Sequence, residues 1–258
     1  ELLMPPVFEE VIASLRHIDV AAVEVVRDYF RKQLGLSLYE PASSLYQQLW
    51  AVEDHQMNGK AYGRRKLRNV CLWLMMKSND EQSIEHCQKQ FDSAKTMTDQ
   101  IAAFALLVNS SNTQSRNQAI SAFYTQWSAN ELVLDKWFAI QATAERSDTL
   151  KHVRELMQHE AFSMKNPNKV RSVIGAFCQA NARNFHAIDG SGYAFLTQVL
   201  IEVDAINPQI AARLATPFTY WQRYDLPRQG LIKEALLHLN KLDLSRDVRE
   251  LVVKSLKS

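Results

Sequence analysis

A helical spacing of apolar residues runs through this chain from one end to the other. Apolar side chains recur at positions i, i+3 and i+4, which places them on one face of an α-helix. The spacing is clearest in three sets: Val23, Val26, Tyr29, Phe30 and Leu34; Leu67, Val70, Cys71, Leu74 and Met75; and Ile210, Leu214, Pro217, Phe218 and Trp221. No segment shows the strict alternation of a half-buried strand. Only 7 Gly and 7 Pro interrupt the 258 residues, so the sequence predicts an all-α fold.

The predicted helices follow one another closely. There are about fourteen of them, each roughly 10–18 residues long, and short polar connectors join them. Short connectors make neighbouring helices antiparallel, so we expect paired helices stacked as an α–α superhelix, an irregular α-solenoid. No repeat of fixed period and no linker rich in Pro, Gly or Ser divides the chain. Residues 1–258 are therefore expected to form one helical domain.

Local chemistry predicts several helix ends. Asn166-Pro167 and Asn207-Pro208 each pair a capping Asn with Pro at the first helical position, where a missing N–H costs nothing. Thr98, which precedes Asp99-Gln100, is a further candidate for an N-cap. Gly35 and Gly59 are interpreted as helix stops.

The charge and hydropathy of the chain exclude several partner classes. A net charge of +2 predicts neither nucleic acid nor an anionic membrane as a partner. The densest basic patch, residues 63–68, leads into an apolar helix and is interpreted as the solvated face of that helix. The longest apolar runs, Val70–Met76 and Ile101–Val108, fall short of the 18 or more residues that span a bilayer.

Three cysteines, Cys71, Cys87 and Cys178, are widely spaced and odd in number. This pattern predicts neither a disulfide framework nor a zinc knuckle, and each thiol is interpreted as a small buried apolar group. A reducing compartment, the cytoplasm, is the expected location.

The residues do not form a recognisable catalytic motif. His159-Glu160 begins like the zinc-binding motif His-Glu-x-x-His, but position 163 is Ser, so the second imidazole is missing. Gly190-Ser191-Gly192 lacks the Lys that follows in a phosphate-binding loop and is interpreted as a tight entry into a helix. We therefore expect no catalytic residue and no metal ligand in this chain.

Two arginines border predicted buried stripes. Arg171 adjoins the stripe of Val170, Ile174 and Phe177, and Arg213 adjoins the stripe of Ile210, Leu214 and Phe218. An arginine at such an edge can lay its stem over the core and hold its guanidinium at a groove. A surface ion pair is the alternative interpretation.

Six blocks of sequence resemble one known family. They are YGRRKLRNVCLWLM (62–75), FDSAKTMTDQIAAFALL (91–107), LVLDKWFAIQAT (132–143), FSMKNPNKVRSVIGAF (162–177), FHAIDGSGYAFL (185–196) and NPQIAARLATPF (207–218). Their order and spacing resemble the C-terminal helical domain of bacterial aminopeptidase N, a zinc metallopeptidase. The resemblance extends from about residue 5 to the end and is vaguest over about the first 60 residues.

The resemblance implies a role within a larger enzyme. Such peptidases remove N-terminal residues from peptides, and their zinc is bound in a catalytic domain whose motifs this chain lacks. The chain would be an inactive C-terminal domain that closes over the catalytic domain of the same polypeptide and encloses the cavity for peptide substrates. By matching surrounding sequence, Arg171 and Arg213 would line that cavity. The first residue is not Met, which also suggests a fragment.

One alternative stays open from the sequence. A stand-alone α-solenoid could bind protein or peptide partners on its concave face. Such an adaptor would be expected to have polar capping helices and a detectable repeat, and this sequence shows neither clearly.

Overall fold

A computed structural model describes residues 4–52 and 56–257. Within these two ranges the chain forms fifteen α-helices and no β-strand, which confirms the predicted all-α class and nearly matches the expected number of helices. The first nine are α1 (Phe8–Ala13), α2 (Val20–Ser37), α3 (Tyr39–Trp50), α4 (Gly59–Met75), α5 (Glu81–Ser93), α6 (Met97–Val108), α7 (Thr113–Trp127), α8 (Glu131–Ala142) and α9 (Thr149–Leu156).

The remaining helices include one with an irregular turn. Here α10 (Pro167–Val170), a π-helical turn (Arg171–Gly175) and α11 (Ala176–Ala180) form one continuous helix, which we count once. Five further helices follow: α12 (Ala182–Phe185), α13 (Ser191–Asp204), α14 (Pro208–Leu214), α15 (Leu226–Asn240) and α16 (Arg246–Lys257). A 3₁₀ segment, Thr216–Arg223, connects α14 to α15.

The helices group into two compact units. The first contains Glu1–Pro6 and Val25–Asn130, and the second contains Val7–Glu24 and Glu131–Ser258. The prediction that all 258 residues form one domain stays a prediction.

The first unit is built around helices α3 to α7. Helix α3 packs along α4, and α5, α6 and α7 pack in succession. Its aromatic centre contains Phe91, Phe104 and Phe123, and the rings of Phe104 and Phe123 stack with centroids 4.5 Å apart. These rings are shielded from water and supply much of the apolar burial of the unit.

The basic patch at the start of α4 is only in part the solvated face predicted from the sequence, because Lys66 is exposed but two of the arginines are shielded. Arg65 is buried and donates a hydrogen bond to the Gln56 carbonyl oxygen at 3.2 Å. Arg68 forms a 2.6 Å ion pair with Asp99 on α6, and both side chains are nearly shielded from water. Both guanidiniums therefore bind partners within the protein, because a buried charge without a partner is unfavourable.

The second unit has a buried polar network beside its aromatic core. Nδ1 of His186 lies 2.8 Å from the Tyr193 hydroxyl, and Nε of Arg228 donates to the His186 carbonyl oxygen at 2.7 Å. The backbone of Ile18 joins this unit, donating to the Arg223 carbonyl and accepting from the Asp225 N–H. Every partner in these contacts lies in the same unit, which explains why the residues before α2 belong to it.

The predicted caps at Asn166 and Asn207 are confirmed. Each side chain accepts a hydrogen bond from a backbone N–H in the first turn of its helix, and Pro follows it in both cases. The prediction for Thr98 is wrong, because Thr96 caps α6 and accepts from the Asp99 N–H. An N-cap hydroxyl must precede the orphan N–H groups, and Thr98 lies inside the helix.

Gly35 and Gly59 do not end helices as predicted. Gly35 lies inside α2, where a Cβ would come within 2.9 Å of the Leu74 carbonyl oxygen, so glycine permits a close approach to the end of α4. Gly59 begins α4, directly after its cap Asn58.

Candidate functional site

The continuous helix of residues 167–180 presents the first of the two candidate arginines. Its π-helical turn begins at Arg171 and ends at Gly175. A π-turn places one extra residue in the helix, and such turns are frequent at functional sites. The turn therefore changes the direction of the side chains that follow Arg171.

Arg171 lies at the edge of a buried stripe, as the sequence predicted. Val170, Ile174 and Phe177 are fully shielded from water, whereas Arg171 is exposed. Its guanidinium donates to the Asn168 side-chain oxygen at 2.8 Å. The neighbouring amide therefore restrains an exposed positive charge without neutralising it.

Arg213 has the same relation to the core on α14. It is exposed between Ala211 and Leu214, both of which are buried. Within residues 4–52 and 56–257, neither Arg213 nor Arg171 forms an ion pair. The alternative of a surface ion pair is therefore not found for either arginine among the residues described.

Gly175 brings the helices of the two arginines close together. A Cβ placed on Gly175 would lie 3.6 Å from Cγ of Arg171 and 3.7 Å from Cδ2 of Leu214. The stem of Arg171 and the residue that follows Arg213 thus flank the same glycine. The fold brings the two predicted site residues onto adjacent helices of one unit.

Lys169 is a buried neighbour of Arg171 that was not predicted from the sequence. Its side chain is buried, and Nζ lies 2.6 Å from Glu131 Oε2 and 2.8 Å from Asp135 Oδ1. Burial opposes the charged form, but hydrogen bonds to the two carboxylates outweigh it and raise the pKa of the ammonium. This bond network attaches α10 to α8 two residues before Arg171. The signal in the sequence was the Glu131/Asp135 pair, one helical turn apart.

The buried thiols and histidines do not add a second site. Cys71, Cys87 and Cys178 are buried and unpaired, and burial raises the pKa of all three thiols. Nδ1 of His159 accepts from the Ala161 N–H at 3.1 Å, and its ring packs on Trp137. No three metal-ligating side chains come together anywhere in the part of the chain that the structure describes.

Among the helices of residues 4–52 and 56–257, none has both the length and the apolar character needed to cross a bilayer.

A known family matches nearly the whole sequence. Residues 1–257 match the family described as "Domain of unknown function (DUF3458_C) ARM repeats". The chain belongs to the DUF3458_C family. The ARM-repeat description agrees with the expected fold class of an α-solenoid.

Curated relatives of this DUF3458_C chain are bacterial aminopeptidases. It is 36% identical to aminopeptidase N of Escherichia coli over 257 residues, and 34% identical to aminopeptidase N of Haemophilus influenzae over 256 residues. Each match covers 99% of this chain but 29% of the relative, in its C-terminal part. The predicted resemblance to the C-terminal domain of aminopeptidase N is thus confirmed.

A solved structure shares the DUF3458_C fold. The crystal structure of Legionella pneumophila aminopeptidase A in complex with aspartic acid matches with a TM-score of 0.90 and 29% sequence identity. The match covers 99% of this chain and 31% of that one. The chain therefore corresponds to a part of aminopeptidases that is about a third of their length.

Proposed function

We propose that this chain is the non-catalytic C-terminal domain of a zinc-dependent aminopeptidase that removes N-terminal residues from peptides. The observation that carries the proposal is similarity over 99% of the chain to the C-terminal part of three curated aminopeptidases N. In that role the chain closes over the catalytic domain of the same polypeptide and encloses the cavity. Enclosure excludes water and restricts the size of the substrates that enter.

Arg171 and Arg213 line the substrate cavity in this proposal. Both are exposed, both lack an ion pair among the described residues, and Gly175 brings their helices together. An exposed guanidinium without an ion pair has N–H groups that can donate to a peptide carbonyl or carboxylate downstream of the cleaved bond. The two arginines would hold and orient the peptide, and neither would transfer a proton or attack the bond.

Zinc is held elsewhere in the longer polypeptide in this proposal. The ring of His159 contacts Trp137 and Phe138, and the described residues bring no set of three ligands together. Because the donor set does not fit a zinc ion, we assign this chain no step through the metal.

A kinetic experiment on the full-length enzyme tests the role of the arginines. Replacing Arg171 or Arg213 by Ala should raise KM for tri- and tetrapeptides about 3- to 10-fold and change kcat less, because ground-state binding is lost. Arg249→Ala is the matched control, since Arg249 is also exposed but pairs with Asp243 at 2.7 Å. Kinetics that stay unchanged in both arginine variants would remove the proposed role.

We also propose a cytoplasmic location. The three buried, unpaired cysteines and the bacterial aminopeptidase relatives support it. Fractionation of cells that express the full-length enzyme tests this proposal, and recovery from the periplasm would contradict it.

A further inference from the structure

One face of α2 exposes five large apolar side chains, with the exposed polar residues Lys32 and Gln33 between the last two of them. We call these five residues the outer face of α2. Their exposed fractions are 68% for Val25, 66% for Val26, 67% for Tyr29, 52% for Phe30 and 48% for Leu36. Three of them, Val26, Tyr29 and Phe30, belong to the stripe that the sequence predicted as typical of a helix. These three face away from the protein core, whereas Val23 and Leu34 of the same stripe are half-buried.

The opposite side of α2 combines polar and apolar residues. Glu24 is buried and accepts two hydrogen bonds from Arg183, at 3.1 and 3.2 Å. Arg27, Arg31 and the apolar Leu34 are half-buried on the same side. Both sides of the helix therefore contain large apolar residues, and those of the outer face are in contact with water.

The exposure of these five apolar side chains is unfavourable in water. Each Å² of apolar surface left in water costs about 25 cal/mol relative to burial. Single exposed apolar residues are common, but several large ones on one face of one helix mark an interaction surface. The outer face of α2 is suited to a partner that covers it.

We propose that the outer face of α2 docks against the part of the full-length aminopeptidase that precedes this chain in the sequence. This inference rests on the proposed function. The match covers 29% of each curated relative, in its C-terminal part, so about seven tenths of each relative lies outside the match and precedes it.

The composition of the surface fits a permanent contact within one polypeptide. Its large side chains are apolar, with the charged Lys32 exposed among them, and an apolar centre with few charges accompanies lasting, desolvated contacts. Tyr29 and Phe30 supply the large rings that anchor such contacts. A partner with an apolar surface therefore fits better than a polar ligand.

Thiol labelling of the full-length enzyme tests this proposal. Tyr29→Cys places a thiol in the outer face of α2, and Asp243→Cys is the matched control because the Asp243 side chain is fully exposed. The native cysteines of this chain are buried, so the introduced thiols react first. Reaction with a maleimide is followed by mass spectrometry of the modified peptides.

The expected result is labelling at position 29 at least 10-fold slower than at position 243, at every protein concentration. Equal rates would overturn the proposal, since the face would then be open to solvent. Protection at position 29 that disappears on dilution would also overturn it, because a second copy would then cover the face. Aminopeptidase activity of the same samples reports on the proposed function separately, so a protected but inactive enzyme would contradict only that proposal.

Discussion

The ammonium of Lys169 lies between two carboxylates, 2.6 Å from Glu131 and 2.8 Å from Asp135. Lys169 and Asp135 are largely shielded from water, whereas Glu131 is exposed, so the contact with Asp135 is the stronger of the two. This contact connects α8 to the helix that carries Arg171 and so restrains the position of that helix.

Replacing Lys169 by Met should destabilise the protein by about 1–3 kcal/mol. The loss arises because Asp135 keeps a partly buried charge without its partner. Urea unfolding measures the change, and Lys151→Met, at a position 82% exposed, should stay within about 0.5 kcal/mol of the wild type. The raised pKa of Lys169 means that its contribution is complete below about pH 10 and is lost only as the pH rises further. Equal stability of the two variants would show that the contact contributes little.

His186 should make the second unit sensitive to acid. Burial, and to a smaller extent the nearby Arg228 charge, lowers the pKa of His186 to about 3. In the unfolded chain this imidazole binds a proton near pH 6.5, so the unfolded state takes up more protons between about pH 6.5 and 3. Stability attributable to His186 is therefore complete above about pH 6.5 and falls with acidification, by on the order of 1 kcal/mol per pH unit.

The pH dependence of unfolding checks this prediction. His186→Gln should be less stable than the wild type at pH 7 but should lose less stability between pH 6.5 and 4. The control is His238→Gln, at an exposed position of α15. Parallel pH profiles for the wild type and His186→Gln would contradict the assignment.

Gly192 should tolerate no side chain. A Cβ there would overlap the Phe185 carbonyl oxygen and lie 2.7 Å from its carbonyl carbon, both of which are backbone atoms and cannot move aside easily. Gly192→Ala should destabilise the protein by about 3 kcal/mol or more. Gly63→Ala is the matched control, since it lies inside α4 with no atom within 4 Å of the added methyl group.

Thermal unfolding should show that Gly192→Ala is less stable than the wild type and that Gly63→Ala is more stable. Gly63→Ala should gain about 0.5–1 kcal/mol, because alanine loses less backbone entropy than glycine in a helix. A Gly192→Ala variant as stable as Gly63→Ala would show that the contact between α12 and α13 can relax.

Short-range chemistry made much of the fold predictable. The caps Asn166 and Asn207 depend on neighbours within three residues, and the apolar period of 3.6 residues fixes the helical class. The edge positions of Arg171 and Arg213 followed from the same period. The approach of Leu214 to Gly175 did not, because it depends on how two separate helices pack.

The outer face of α2 shows that periodicity alone does not decide whether an apolar residue faces the core or the surface. Val26 and Tyr29 obey the spacing of core residues, yet they are exposed. Core and interface positions follow one rule, so only the packing of the folded chain separates them. Lys169 was missed for a related reason: its two acidic partners lie on another helix, more than thirty residues away in sequence.

The most direct test of the central claim is aminopeptidase activity on an alanyl or arginyl chromogenic amide in the presence of zinc. The activity is measured for this chain alone, for the separately expressed remainder of the full-length enzyme, and for the mixture. We expect no turnover by this chain alone, and a gain in activity or a changed preference for peptide length on mixing. Zinc-dependent turnover by this chain alone would show that it is not a non-catalytic domain. A mixture that behaves as the remainder does would also be contrary to the proposed function and would favour a stand-alone binding protein.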